Sequence, residues 1–400
     1  MSIRRRDLVR TLALALACAL PAAAGAEERA PQSGPTLELR YRYEGVDDDA
    51  FVRRADASTL RLRLGYRWLF APHWQAYADG EHVQALFGEH YNSSANGKVD
   101  YPIVVDPESD EINQAWIGYA DDASTATLGR QRVQLDNQRF FGNSGWRQNE
   151  QTFDAFALRH AFGSSAPTVR YTYLDRVLRV NGHENPNPLL REWDLHGHLL
   201  NVGGKLPLGV LTGYGYWVEN RDIATLSTRT LGLRWTGTHP VDAATLGWSI
   251  EYARQADWAN NPTASRADYR LVEPTFTWHG ITWKVGWEVL GGDGRYGFAT
   301  PYATLHAFNG WADRFLTTPK DGLEDRYVSA NGKLGRAAWT VAWHTFRADR
   351  GGARYGNELD ASLGCALTPR LDALLKFAGY RSDGFASDER KLWASLEYRY

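Results

Sequence analysis

Arginine takes alternate positions in two early stretches of the chain: Arg40 and Arg42 in LELRYRY, and Arg61 and Arg63 in TLRLRLGYRW, with Arg67 close behind. A guanidinium stays charged and offers a planar fork of donors that matches a carboxylate or a phosphate. At a spacing of two along a strand such forks share one face and would form a ladder of anion-binding groups. Arg234, Lys284 and Arg399 fall on the equivalent face of later alternating stretches, together with the acids Glu38, Glu251, Glu288 and Glu397. On these faces the eight bases outnumber the four acids, a balance that favours anions inside a low-dielectric wall. The same charges could also pair with one another for packing, and the sequence leaves both readings open.

Other reactive residues lack a spacing that commits them. The acidic runs Asp47-Asp48-Asp49 and Asp106 to Glu111 have no defined calcium-ligand pattern and read as solvated loops. His196 and His198 share a strand face but have no third metal ligand, so they read as polar lining. Ser144, Asp154 and His160 lie in one region without the spacing of a triad, and Gly142-Asn143-Ser144-Gly145 lacks the lysine and helix of a phosphate loop. The expectation is therefore no catalytic residue, no metal and no cofactor.

The elements that must carry the arginines are strands. In the second stretch Leu60, Leu62, Leu64, Tyr66 and Trp68 oppose Arg61, Arg63 and Arg67. Similar alternation places Leu231, Leu233 and Trp235, then Trp283, Val285 and Trp287, and finally Leu392, Leu396 and Tyr398 on apolar faces. These faces end in Tyr and Trp, as where a strand passes from lipid to headgroups, and charges sit mid-strand on the opposite face. The pattern predicts an all-β fold, a single transmembrane antiparallel β-barrel of about 18 strands, with 16 possible because the middle strands are poorly patterned. Expected strands lie near 36–44, 57–70, 73–86, 110–121, 123–134, 151–160, 167–176, 193–206, 208–219, 224–237, 243–257, 267–279, 281–290, 324–335, 337–347, 355–367, 371–382 and 389–400. Several even-numbered strands end in short turns such as His279-Gly280 and Thr368-Pro369, the periplasmic side. Many odd-numbered ones end in long extracellular loops, notably 87–109, 135–150, 177–192 and 291–323.

Composition fits. The 400 residues carry net charge −2 and are 13% aromatic, and past the N-terminus no apolar run approaches the roughly 18 residues of a spanning helix. Charge so near zero gives no argument for a nucleic-acid partner. Arg4, Arg5, Arg6 and Arg10 precede the apolar Leu12 to Leu20, and Ala24-Gly25-Ala26 offers a cleavage site. Residues 1–26 are expected to be a signal peptide and residues 27–400 the outer-membrane barrel. Cys18 would leave with the signal, so no intrachain disulfide is expected.

Several segments resemble the alginate-export family of outer-membrane barrels: ADASTLRLRLGY (55–66), YNSSANGKVDYPIVVDPESDEINQAWIGY (91–119), GRQRVQLDNQRFFGNSGWRQNEQTFDAF (129–156) and GFATPYATLHAFNGWADRFLTTPKDGLEDRYV (297–328). The resemblance implies an 18-stranded barrel with an Arg-lined lumen for an anionic uronate polymer or small anions. Its matching positions are Arg61, Arg63, Arg130, Arg132, Arg139 and Arg147. Two departures, the short Thr368-Pro369 turn where the best-known exporter carries a long one and a shorter chain, favour a plainer porin. The expectation is a passive channel in a Gram-negative outer membrane for anionic saccharides or small anionic solutes. Alternatives are a porin importing small organic molecules, aromatic ones included, and, from another class, a barrel enzyme or adhesion scaffold.

Two further expectations follow. The alternating, aromatic-ended Leu392–Tyr400 would engage the outer-membrane assembly machinery, and the barrel would sit in outer-membrane lipid. The loop 291–323 would fold inward to constrict the lumen, because Phe298, Tyr302, Leu305, Phe308, Trp311, Phe315 and Leu316 need a dry environment. Leu305, Phe308, Trp311 and Phe315 fall at helical spacing, which predicts a short helix over 304–315 with Asp313 and Arg314 turned to the pore.

Overall fold

The computed structural model describes residues 32–163 and 166–400. The expected signal peptide therefore lies outside the described residues, apart from any structural account. Among the described residues eighteen strands form one antiparallel sheet. In chain order they are β1 (Gly34–Asp48), β2 (Ala55–Ala71), β3 (Trp74–Ala85), β4 (Ser109–Ala120), β5 (Ser124–Gln131), β6 (Thr152–Ala161), β7 (Thr168–Leu178), β8 (Glu192–Leu206), β9 (Gly209–Asn220), β10 (Thr228–Val241), β11 (Ala244–Asp257), β12 (Arg266–Trp278), β13 (Ile281–Leu290), β14 (Leu323–Leu334), β15 (Ala337–Arg347), β16 (Arg354–Thr368), β17 (Leu371–Ser382) and β18 (Glu389–Arg399). β1 pairs with β2 on one side and β18 on the other, so the sheet closes and no strand edge is left unpaired.

The expected strands are all present, and differences of extent have local causes. β1 runs on to Asp48 because Glu44–Asp48 pairs with Trp393–Glu389 of β18. β10 begins at Thr228 because 224–226 is a 3-10 turn. The strands alternate as read: on β2 Leu64, Tyr66 and Trp68 are exposed on the outer wall, while Thr59, Arg61 and Arg63 are buried on the inner one. Contiguous apolar surface of this extent needs lipid rather than water. At the short-turn end Trp68, Trp74 and Trp278 stand exposed, the aromatic girdle of a membrane boundary.

The short connections are two-residue gaps at 72–73, 207–208, 242–243, 279–280, 335–336 and 369–370. His279 and Gly280 both have positive φ, 47° and 75°, the backbone of a type I′ hairpin turn whose twist matches its strands. Long segments, 86–108, 132–151, 179–191 and 291–322, are confined to the opposite end.

The loop 291–322 does fold against the inner wall, but the expected helix is absent. Only Leu305–Ala307 makes a 3-10 turn. Asn309, Gly310 and Asp313 have φ of 56°, 82° and 64°, and left-handed residues so close together break a right-handed helix. Gly310 is also where the loop meets the wall, since a Cβ there would fall 2.4 Å from a Glu358 carboxylate oxygen. Close anchorage on β16, rather than helical periodicity, decides the backbone here.

Candidate functional site

Two inserted loops fill the long-loop half of the lumen and hold each other. Gly142 N donates to Tyr302 O (2.9 Å), Thr304 N to Gln138 O (3.1 Å), and Ser144 Oγ to Ala303 O (3.2 Å). Phe140, Phe141, Phe298 and Tyr302 pack with the inward Tyr214, Tyr216 and Tyr269 of the wall, Phe141 stacked on Tyr302 at 5.5 Å. Burial of these rings gives both loops a common apolar core.

Around β1–β3 three of the inward arginines, Arg42, Arg61 and Arg63, are consumed by acids. Arg42 pairs with Asp106 and stacks over Trp146. Arg61 reaches Glu38 (3.0 Å) and Glu397 (3.3 Å). Arg63 binds Glu38 (3.0 Å), Glu81 (2.9 Å) and Glu150 (2.5 Å), and Arg132 binds Glu150 from the loop (2.5 Å). Burial pushes the Glu150 carboxyl up, but Arg63 and Arg132 outweigh it and hold it at about 2. Arg40 has no acid within ion-pair distance; it donates to Gln148 Oε1 (2.9 Å) and to the carbonyls of Gly145 and Arg147. Arg147 bridges Glu44 (3.1 Å) and Asp313 (3.0 Å). Arg42, Arg61, Arg63, Glu81, Asp106 and Glu150 are buried, so their mutual attraction must offset a large desolvation cost.

At mid-barrel Lys376 of β17 sits in an aromatic box. Its Nζ lies 3.7 Å from the Trp311 ring centroid and 4.3 Å from that of Trp146, and it contacts His306 Nε2 at 2.7 Å. Desolvation holds the His306 imidazole down at about 3, with Lys376 adding to that effect against the pull of Asp313. A neutral ring accepts from the ammonium at Nε2 and donates from Nδ1 to Asp313 Oδ1 at 2.8 Å. His306, Asp313 and Lys391, 3.4 Å from Asp313, thereby tie the loop to β17 and β18. A cavity of about 560 Å³ opens here between Arg40, Trp146, Trp311 and Lys376.

A wider lumenal compartment, about 840 Å³, lies at the short-turn end against β5–β10. Arg159, Arg170, Lys205 and Arg234 line it, with Asp122, Asp136 and the amides of Asn137 and Asn201. Arg159 of β6 and Arg170 of β7 stand directly opposite each other in register. Among the described residues neither they nor Lys205 make an ion pair, whereas Arg234 is paired with Glu251 at 2.5 Å. A third cavity of about 300 Å³ shares Asn137 and Arg234 with this compartment and Trp311 with the aromatic one. It contains Lys284, 3.0 Å from Glu273, and Glu288, which accepts from Arg139 (2.8 Å) and Asn309 (2.6 Å).

The structure thus gathers Arg40, Arg42, Arg61, Arg63, Arg132, Arg139, Arg147, Arg234, Lys284, Glu288 and Trp311 inside the barrel, most of them in neutralised networks. Three placements differ from expectation. Arg130 is on the outer wall with Asp154 (2.9 Å), because Gly129 and Gln131 take the inward positions of β5. Asp313 and Arg314 do not face an open pore: Asp313 is buried among His306, Arg147 and Lys391, and Arg314 pairs with Asp48 (3.0 Å) and Glu389 (3.1 Å). His196 and His198 are outer-wall residues in edge-to-face contact at 5.0 Å, not lining, since their neighbours Leu195 and Leu199 point inward and are buried. Ser144, Asp154 and His160 are not brought together. Asp154 and His160 are on the outer wall, His160 with Ser124 at 2.9 Å, while Ser144 is inside. Among the described residues no group of three His, Cys, Asp or Glu is assembled to hold a metal. Sequence reasoning missed Lys376, Arg159, Arg170 and Lys205. The parity of Asp372, Leu374 and Lys376 on β17 was the signal available for the first.

Residues 35–166 match the alginate export family, so three of the four long resembling segments fall wholly within the match and 297–328 lies beyond it. No curated protein matches the chain in sequence. Solved structures share its fold over nearly their whole length. Pseudomonas aeruginosa OpdK, solved with vanillate, is 14% identical with a TM-score of 0.71, covering 92% of this chain and 98% of its own. P. aeruginosa OccK2 (OpdF), solved in complex with glucuronate, is 12% identical with a TM-score of 0.68 at the same coverage. Acinetobacter baumannii OccAB4 is 13% identical with a TM-score of 0.71, again covering 92% and 98%. At such identities the likeness is one of fold: a closed barrel of the outer-membrane porin type.

Proposed function

We propose that the chain is an outer-membrane channel for small anionic organic solutes, uronate-type saccharides among them. The observation that carries this is the compartment at the short-turn end, where Arg159, Arg170 and Lys205 make no ion pair among the described residues. Like charges directly opposite across two strands destabilise a sheet, so a pair left unneutralised in a wet lumen is a feature with a use. An exposed cationic lining raises the local concentration of anions and rejects cations. Crystals of similarly folded barrels with glucuronate and vanillate support the same class of solute.

The Trp146–Trp311 compartment favours a second reading, passage of aromatic carboxylates, whose ring would meet the indoles while the acid meets Arg40 or Lys376. The short 369–370 turn supports a plain porin over a polymer exporter. Removal of residues 1–26 and insertion through the C-terminal strand Leu392–Tyr400 belong to the same proposal. Proteoliposome swelling tests it: glucuronate should enter about threefold or more faster than glucose at equal osmolarity. Equal rates would refute the anion preference.

A further inference from the structure

The outer wall carries charges of its own at the long-loop end, and they are unevenly spread. On β5–β9 each outward arginine has an acid, Arg130 with Asp154 (2.9 Å) and Arg176 with Asp194 (3.1 Å), and His196 stands 3.7 Å from Glu219. On β10–β14 the outward positions hold Arg229, Arg254, Arg266, Arg270 and Arg326 against only Asp268 and Glu324. Asp268 is shared by Arg254 (2.8 Å) and Arg270 (3.8 Å), and Glu324 binds Arg326 (2.9 Å) while standing opposite Arg347 in register. Arg229 and Arg266 make no ion pair among the described residues. They flank Ala256 on one rung of the sheet, roughly 10 Å apart, so their forks can converge on one group.

Position adds to charge. Immediately below these arginines on the same outward face are Leu231, Leu233, Val272, Val285 and Val328, all exposed for contact with acyl chains. The basic sector therefore stands at the boundary between lipid and water, on the end where the long loops emerge. Neutral or zwitterionic headgroups give a surplus of guanidinium no reason to be there. Phosphate monoesters do, since each accepts two parallel charge-assisted hydrogen bonds from an Arg fork.

We propose that the outward face of β10–β14 at its long-loop end binds the phosphates of lipid A in the outer leaflet. This rests on the outer-membrane channel proposed above, with its long loops on the extracellular side. The test uses the purified full-length barrel in detergent, with bound lipid counted by native mass spectrometry. The parent should retain bisphosphorylated lipid A about tenfold more tightly than the same lipid stripped of phosphate. Arg229→Gln/Arg266→Gln/Arg270→Gln should abolish that preference, whereas Arg130→Gln should keep it. Equal retention of the two lipids by the parent would overturn the proposal without any variant having to fold. Displacement of lipid A by millimolar inorganic phosphate would also overturn it, by assigning the sector to free phosphate. Anion conductance measured on the same parent preparation tells the two readings apart, because a barrel that conducts anions yet shows no lipid preference loses only this inference.

Discussion

The walls formed by β1–β3 and by β6–β8 both present arginines to the lumen, yet they have opposite characters. Arg42, Arg61 and Arg63 are buried and matched by Glu38, Glu81, Asp106 and Glu150, two of which arrive on loops. Arg159 and Arg170 face one another beside the 840 Å³ cavity without an ion pair. The difference teaches that the number of bases on a strand face says little about the field in the pore. What decides is whether acids fold in to meet them. One wall uses arginine as an internal fastener, and the other leaves it facing the aqueous path.

The largest expected effect separates fastening from conduction. Arg63→Ala leaves Glu81 without its ion-pair partner, and Glu38 and Glu150 with only Arg61 and Arg132, and should cost about 3–5 kcal/mol in denaturant unfolding, as breaking buried pairs does. In the parent, Glu150 is held down at about 2, below its unfolded value, so its contribution is present above the ordinary carboxylate range and lost as pH falls through about 2. That acid lability should shrink in Arg63→Ala. A variant as stable as the parent would mean that the network is ornamental.

The next effect is on selectivity. Arg159→Gln/Arg170→Gln should move the reversal potential in a salt gradient toward cations, lowering the anion-to-cation permeability ratio about threefold. Arg61→Gln, once its heat-modifiable migration confirms a folded barrel, should leave the ratio unchanged. The opposite ranking would invert the comparison between the two walls. The smallest effect concerns the loop that packs against the fastened side: deleting 301–319 should raise single-channel conductance by about twofold. Unchanged conductance in a deletion that still inserts would place the narrowest point elsewhere.

Much of this was legible in sequence because a barrel wall writes its own code. Alternation at Leu60–Trp68 and turn residues such as His279-Gly280 specify strand, face and connection locally, and eighteen strands follow from them. The inward placement of Arg61 and Arg63 came from the same parity. The pairing was not legible, since Arg147 meets Glu44 across 103 residues and Arg139 meets Glu288 across 149. The surplus of bases counted on strands alone overlooked Asp106, Glu150 and Asp313, which loops deliver. Arg130 was misplaced because the resemblance carried GRQR into the lumen, whereas the parity of β5 sends Arg130 outward and Gln131 inward. The stripe at 305–315 mimicked a helix because its rings are spaced to reach different walls.

The two interlocked loops also impose an order on the making of this molecule. Ser144 and Ala303 are 159 residues apart, and strands β6 to β13 lie between the segments that carry them. Contacts of such separation form late, after the chain between them has been arranged. Neither loop has its partner, nor the tyrosines of β9 and β12, until most of the wall is standing. The narrow gauge of the channel is therefore a late acquisition, and a nascent barrel stalled before β13 would be a wide, leaky one.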